Sequence, residues 1–222
     1  MNVMCFDLSS TCIGITFAQL RKQKPIFVRT LAVIPQLPTG KTLGYTTQEP
    51  KEIHSNGNVF KGFLKPGENR ISKAEATRRL SEFKVFKHRE LLKDIGKQCG
   101  RFLYKVNPSI VALERNKAFN GVLTTKLLAE IAGGIYFYAG SKNADLHDED
   151  EATIRAKIRK DMAHVNVAED GVVALNTKWE IYKRLQWYFE TNYPGLVDFS
   201  KMTMDESDSL AVFYHLLTTH LS

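Results

Sequence analysis

Four acidic residues stand where they can act together: Asp7, Glu114, Asp205 and Asp208. Asp7 interrupts an apolar run over residues 3–8, and Glu114 closes another, Ile110-Val111-Ala112-Leu113-Glu114. Asp205 and Asp208 begin a helical stretch, and their i, i+3 spacing puts both on one face, with Glu206 pointing elsewhere. Brought together, such carboxylates repel and resist ionising unless a cation compensates. Hard oxygen donors suit Mg²⁺ or Mn²⁺. Two such ions ~4 Å apart support phosphodiester hydrolysis. Each acid alone has an ordinary structural reading as a turn former, helix cap or dipole partner. The combination of all four, in this order, points to a metal site.

These residues need elements to position them. Residues 3–8, 13–20 and 25–34 are rich in Val, Ile, Phe and Thr and have tight connections, so they read as three strands of an antiparallel meander. Residues 35–70 are punctuated by Pro and Gly, with Asn56-Gly57 suited to close a small hairpin. Ser72-Lys73-Ala74-Glu75 is a capping-box pattern opening a helix that runs to about Lys105, with Gly96 or Gly100 as sites of a bend or break. Asn107-Pro108 ends it, and the strand closed by Glu114 follows. A helix is expected over 123–138, with small residues at Ala129, Ala132, Gly133 and Gly134. Residues 142–176 are ambiguous, with a candidate strand at 144–146, an acidic cluster at 148–151 and a basic stretch at 155–160. Helices are expected at 177–191 and 207–221. The order predicts an α/β layer with a mixed sheet.

The chain has 222 residues and a formal net charge of +7, with a normal globular share of hydrophobic residues at 43%. That length suits one domain, here residues 1–222 with an insertion over 35–89. The positive charge is local. Residues 61–105 carry 13 Lys/Arg against 5 Asp/Glu, whereas residues 106–222 carry 12 against 16. A basic segment ahead of an acidic half suits a protein that holds phosphates near metal-binding carboxylates. Three scattered cysteines, Cys5, Cys12 and Cys99, match neither a disulfide framework nor zinc-finger spacing, and fit a reducing compartment. The N-terminus lacks the basic region of a signal peptide and no stretch reaches the ~20 apolar residues of a span. The expectation is a soluble intracellular, cytoplasmic protein, neither secreted nor membrane-bound.

Three segments resemble the RuvC-type Holliday-junction resolvases of the ribonuclease-H-like superfamily. Phe6-Asp7-Leu8-Ser9-Ser10-Thr11-Cys12-Ile13-Gly14 is similar to that family's opening D-x-S/G-x-x-x-x-G turn. The stretch from Leu103 through Asn107-Pro108 to Glu114 is similar to its helix-Pro-strand-Glu segment. Asp205-Glu206-Ser207-Asp208-Ser209-Leu210-Ala211-Val212 is similar to its D-x-x-D-A-L-A helix. The resemblance spans residues 1–34 and about 90–222. It implies a mixed five-stranded sheet flanked by helices, with Asp7, Glu114, Asp205 and Asp208 as ligands of Mg²⁺ or Mn²⁺, two ions per site. It implies hydrolysis by water leaving a 5′ phosphate, on paired strands of a four-way DNA junction. It also implies a homodimer through the helix around 123–138. Lys178 falls where the family often has a Lys near the phosphate; a solvated first-turn Lys is the even alternative.

The chain departs from that pattern after the strand Glu. Arg115, Asn116, Lys117 and Ala118 precede the aromatic Phe119, which is a candidate wedge at the junction centre or else a core or dimer residue. The basic helix, with Arg70, Lys73, Arg78, Arg79, Lys84, Lys87 and Arg89, reads either as a solvated face or as a contact for DNA arms. One-sided charge favours contact. Arg78, Arg79, Lys84, Lys87, Arg115, Lys117 and Phe119 are therefore the candidate DNA-binding residues. Asp145 and His147, with Asp148 and Glu149, read as a polar strand end ahead of a second metal site. Other functions weighed are a ribonuclease-H-like nuclease for branched DNA or RNA–DNA hybrid, an actin-like or sugar-kinase-type nucleotide-binding domain, and a catalytically inactive DNA-binding module. The length is short for the two domains of the actin-like fold. A P-loop motif is absent from the sequence.

Overall fold

The computed structural model describes residues 1–9, 12–36, 38–46, 63–69, 71–115, 122–167 and 177–221. The chain divides into two compact units, residues 1–34 with 96–222, and residues 35–95. The hairpin expected at Asn56-Gly57, and Arg70, Lys117 and Phe119, lie outside the described residues.

The first unit is built on a five-stranded sheet. Its strands are β1 (Asn2–Leu8), β2 (Ile13–Arg21), β3 (Lys24–Val33), β4 (Ile110–Arg115) and β5 (Asp145–Asp150). Their spatial order is β3-β2-β1-β4-β5. The meander expected from the sequence is present: β1 pairs antiparallel with β2, and β2 with β3. Between β2 and β3, Lys22 and Gln23 adopt positive φ of 50° and 63°, the twist a two-residue hairpin loop demands. Strand β4 adds parallel to β1, and β5 parallel to β4, so the sheet is mixed. The helical segments α1 (Lys73–Val106) and α2 (Val122–Ser141) make the crossovers that parallel pairing requires.

One face of this sheet is covered by α5 (Met204–Thr219), with α3 (Glu151–Asp161) and α4 (Thr177–Asn192) packed beside it. Every residue of α5 from Ser207 to Leu217 is buried. A helix buried nearly all round is a core helix rather than a surface one. The cluster beneath it joins Val3 and Cys5 of β1, Ala18 and Leu20 of β2, and Ile110 and Ala112 of β4 to residues of α3, α4 and α5. A buried hydrogen bond of 2.9 Å between the Thr16 and Ser209 hydroxyls ties β2 to α5. Tyr138 of α2 donates to the Leu103 carbonyl at 2.7 Å, fixing α2 to the last turns of α1.

Two expectations change. Helix α1 is one continuous helix, with neither Gly96 nor Gly100 splitting it. Within the described residues of that ambiguous stretch, a strand over Asp145–Asp150 is followed directly by a helix over Glu151–Asp161. Asp150 caps α3, accepting from the Thr153 N–H at 3.1 Å. The acidic cluster thus ends β5 and starts α3.

The second unit contains a short 3₁₀ turn (Gly40–Leu43) and α1 up to Ile95. Ser72 caps α1 as expected, its Oγ accepting from the Glu75 N–H at 3.2 Å. Tyr45, Phe63 and Phe83 form a small apolar cluster, with the Tyr45 and Phe63 rings edge-on at 5.6 Å. Among the described residues no helix is long and apolar enough to cross a membrane. All three cysteines are free and buried.

Candidate active site

Strand periodicity aims the first two acids. Side chains alternate between faces, so Asp7 shares the face of Val3 and Cys5, and Glu114 that of Ile110 and Ala112. Phe6 pairs with Leu113 in the parallel β1–β4 ladder, so Asp7 and Glu114 come next on adjacent strands. Both are buried at the end of the face that α5 covers.

The N-terminus of α5 supplies the other two. Thr203 and Glu206 form a capping box that fixes the first turn, with the Glu206 carboxylate accepting from the Thr203 N–H at 2.7 Å. Glu206 is thereby turned away from the site, as its helical position predicts. Asp205 and Asp208 face the sheet. Oxygens of Asp7, Asp205 and Asp208 lie within 4.8 Å of one another. This close approach needs Gly14 on β2, because a Cβ there would lie 2.1 Å from the Asp205 carbonyl oxygen.

The electrostatics follow from this crowding. Burial, then the Asp208 charge, push the Asp7 carboxyl up to about 7. Burial, then Asp7 and Glu151, push Glu114 up to about 9. Asp208 is also raised by burial, against the pull of Lys178 and Arg155. Lys178, in the first turn of α4, reaches into the cluster, with Nζ 2.5 Å from Asp208 Oδ2 and 3.4 Å from Asp205 Oδ1. Burial opposes its charge, but the bond to Asp208 and the neighbouring acids hold its pKa above the usual lysine value. Lys178 and the neighbouring Arg155 offset only part of the charge of these acids. All donors are hard oxygens, so the residues present fit Mg²⁺ or Mn²⁺.

Two residues that sequence reasoning missed belong to this neighbourhood. Arg155 of α3 lies 2.6 Å from Glu151 and 3.7 Å from Asp208 Oδ1. The signal available was the i, i+4 pair Glu151/Arg155, which read only as an acidic run followed by a basic one. Cys12 is a neighbour without thiolate chemistry, because burial and then Asp205 push its thiol up to about 12.

The DNA-contact candidates separate. Lys84 is exposed and Lys87 half-buried on α1. Arg78 is exposed but pairs with Glu75 at 2.7 Å and with Glu82. Arg79 departs from its expected role as a surface contact. It is buried, and its guanidinium donates to Glu68 at 2.6 and 2.8 Å, to Glu75 at 2.6 Å and to the Phe63 carbonyl at 2.6 Å. It ties together the second unit. Arg115 is exposed at the end of β4, its Nε 3.0 Å from Asp148 Oδ2.

Comparison with solved structures bears on the fold. The fold is RuvC-like. RuvC of Thermus thermophilus in complex with a Holliday junction substrate superposes with a TM-score of 0.52 at 11% identity, covering 100% of this chain and 97% of that one. A second Thermus thermophilus RuvC structure gives a TM-score of 0.50 at 13% identity, covering 100% and 94%. The ribonuclease-H-like α/β fold expected from the sequence, a mixed five-stranded sheet flanked by helices, is therefore the fold adopted. Comparison of the sequence with family models and with curated proteins finds no match.

Proposed function

We propose that the chain is a divalent-metal-dependent DNA endonuclease that resolves four-way junctions by hydrolysing phosphodiesters in paired strands. The observation that carries this reading is the gathering of Asp7, Asp205 and Asp208 within 4.8 Å, with Glu114 beside Asp7 on the adjacent strand, on a RuvC-like sheet. Asp7, Glu114, Asp205 and Asp208 would hold two Mg²⁺ or Mn²⁺ ions. Bound there, the ions would supply activation of the attacking water and stabilisation of charge at the phosphate.

The chain's own residues prepare that chemistry. Burial makes ionisation of Asp7 and Asp208 costly without a compensating charge, so a bound cation would be strongly favoured. Lys178 offsets part of the negative charge between Asp205 and Asp208, and from that position can donate to a phosphate oxygen. Arg155 braces Asp208 from the α3 side. Arg78, Lys84 and Lys87 of α1, with Arg115, Lys117 and Phe119 after β4, are the proposed DNA contacts. The cations among them neutralise backbone phosphates without reading bases.

Two such sites are needed to cut paired strands, so a homodimer is part of the proposal. Ala129, Gly133, Gly134 and Phe137 of α2 are exposed, and Phe137 is 81% exposed. A small-residue face beside a large exposed aromatic suits close packing against a second copy.

The test is a substrate panel. Purified protein with Mg²⁺ or Mn²⁺ should cut a labelled four-way junction by paired incisions and leave linear duplex intact. Cleavage of RNA–DNA hybrid with the junction left uncut would replace the resolvase reading by that of a hybrid nuclease.

A further inference from the structure

A second cluster of metal-ligating side chains lies on the same sheet face, toward the other end of α5. Ligand atoms of Glu149, His215 and His220 lie within 4.8 Å of one another. Glu149 is on β5, His215 is on α5, and His220 is the residue that caps the end of α5. His215 lies seven positions along α5 from Asp208, about 10 Å on the helix axis, while Glu149 is the register partner of Glu114 on β4, so the two clusters adjoin at that carboxylate pair and differ in their donor sets.

The second observation concerns His215. The residue is only 5% exposed, and neither ring nitrogen has a hydrogen-bond partner among the described residues. A buried polar group left unsatisfied is costly and requires an explanation. His220 approaches from the helix end, with Nε2 4.0 Å from Glu149 Oε1. The His147 ring, also on β5, packs 4.6 Å from that of His220 and walls the remaining side. The surrounding apolar residues, Ala112, Ile154, Val212 and Leu216, limit access of water.

We propose that Glu149, His215 and His220 form a site for a Zn²⁺-class transition metal, separate from the acidic cluster. Two imidazoles and one carboxylate are donors that such ions accept at ~2.0–2.2 Å, leaving a fourth position open. Imidazole donors disfavour Mg²⁺, so the two sites select different ions. Drawing the donors onto one ion needs movement chiefly of Glu149 and His220, the less buried members. The bound ion would satisfy a His215 nitrogen and clasp the C-terminal end of α5 to the edge strand β5. The sequence pairs Glu149 with Asp145, His147 and Asp148, but Asp148 is engaged by Arg115. The fold instead gives Glu149 partners from α5. This inference does not rest on the nuclease reading.

The test uses the full chain, stripped with a chelator, in saturating Mg²⁺ to fill the acidic site. Zn²⁺ alone is titrated in competition with a chromophoric chelator, and melting is followed in parallel. One Zn²⁺ per chain should bind and raise the melting temperature. His220→Ala and Glu149→Gln, both at less buried positions, should each weaken uptake about tenfold or more, and Asp7→Asn should leave it unchanged. Lack of stoichiometric uptake would overturn the proposal, as would uptake unaffected by His220→Ala and Glu149→Gln. Uptake lost in Asp7→Asn would assign the ion to the acidic cluster and overturn it equally.

Discussion

Gly14→Ala tests how the site is positioned without replacing any proposed ligand. A Cβ at residue 14 would sit 2.1 Å from the Asp205 carbonyl oxygen and 3.2 Å from the Ser209 Cβ. A carbon–oxygen contact relaxes to about 3.3 Å, so the first turn of α5 must retreat from β2 by about 1 Å. That turn carries Asp205 and Asp208, and the same retreat strains the 2.9 Å bond between Thr16 and Ser209. Overpacking of this kind costs about 1–3 kcal/mol, equivalent to roughly 2–12 °C in melting temperature at this chain length. A misplacement of about 1 Å at reacting groups costs about 100-fold in rate. The variant should therefore fold, melt several degrees lower, and cut junctions about two orders of magnitude more slowly under single-turnover conditions with saturating Mg²⁺. Wild-type cleavage together with wild-type melting would refute the claim that α5 must touch β2 at Gly14.

Other expectations follow from the charges. In the metal-free chain Asp7 and Glu114 have pKa values raised to about 7 and about 9, above the unfolded values of ~4. The folded state then binds more protons than the unfolded one between those limits, so their contribution is complete below pH ~4 and is lost as pH rises through 7 and then 9. Melting in EDTA should fall from pH 5 to 9, less steeply in Asp7→Asn, and Mg²⁺ should flatten the fall; a rise over that interval would contradict the assignment. Arg79→Met should lower the melting temperature while leaving the salt dependence of junction binding unchanged. Lys84→Ala with Lys87→Ala should do the reverse, reducing the salt slope by about 0.9 for each phosphate that is no longer neutralised; the opposite pattern would exchange their roles. Phe137→Glu should convert a dimer to a monomer by light scattering, and a wild-type monomer would remove α2 as the interface.

The parts of the site that were legible in the sequence are those where an acid breaks a strong local pattern. Asp7 and Glu114 were visible because each breaks an otherwise apolar strand near its end, and the strand period fixes the face it shares. Asp205 and Asp208 were visible because helical spacing pairs them. Strand β5 was obscured because Asp-Leu-His-Asp-Glu-Asp is polar at nearly every position, as an edge strand tolerates. With β5 indistinct, α3 was indistinct too, and Arg155 had no visible path to Asp208. Arg79 misled for a related reason. On the helix alone it joins a row of cations, but Glu68 and the Phe63 carbonyl close over it from the segment before α1. The Glu149–His215–His220 cluster joins residues far apart in the chain, and no local pattern announces it.

The central claim is that Asp7 and its neighbours are metal ligands for strand cleavage. The most direct measurement compares wild type and Asp7→Asn on one labelled four-way junction, with and without Mg²⁺. Asn keeps the shape of the side chain and removes a buried charge, so the variant should melt no lower than wild type in EDTA at pH 8. The account predicts Mg²⁺-dependent paired incisions by wild type, and loss of cleavage with junction binding retained in the variant. Full cleavage by folded Asp7→Asn, or wild-type cleavage that persists in EDTA, would contradict it.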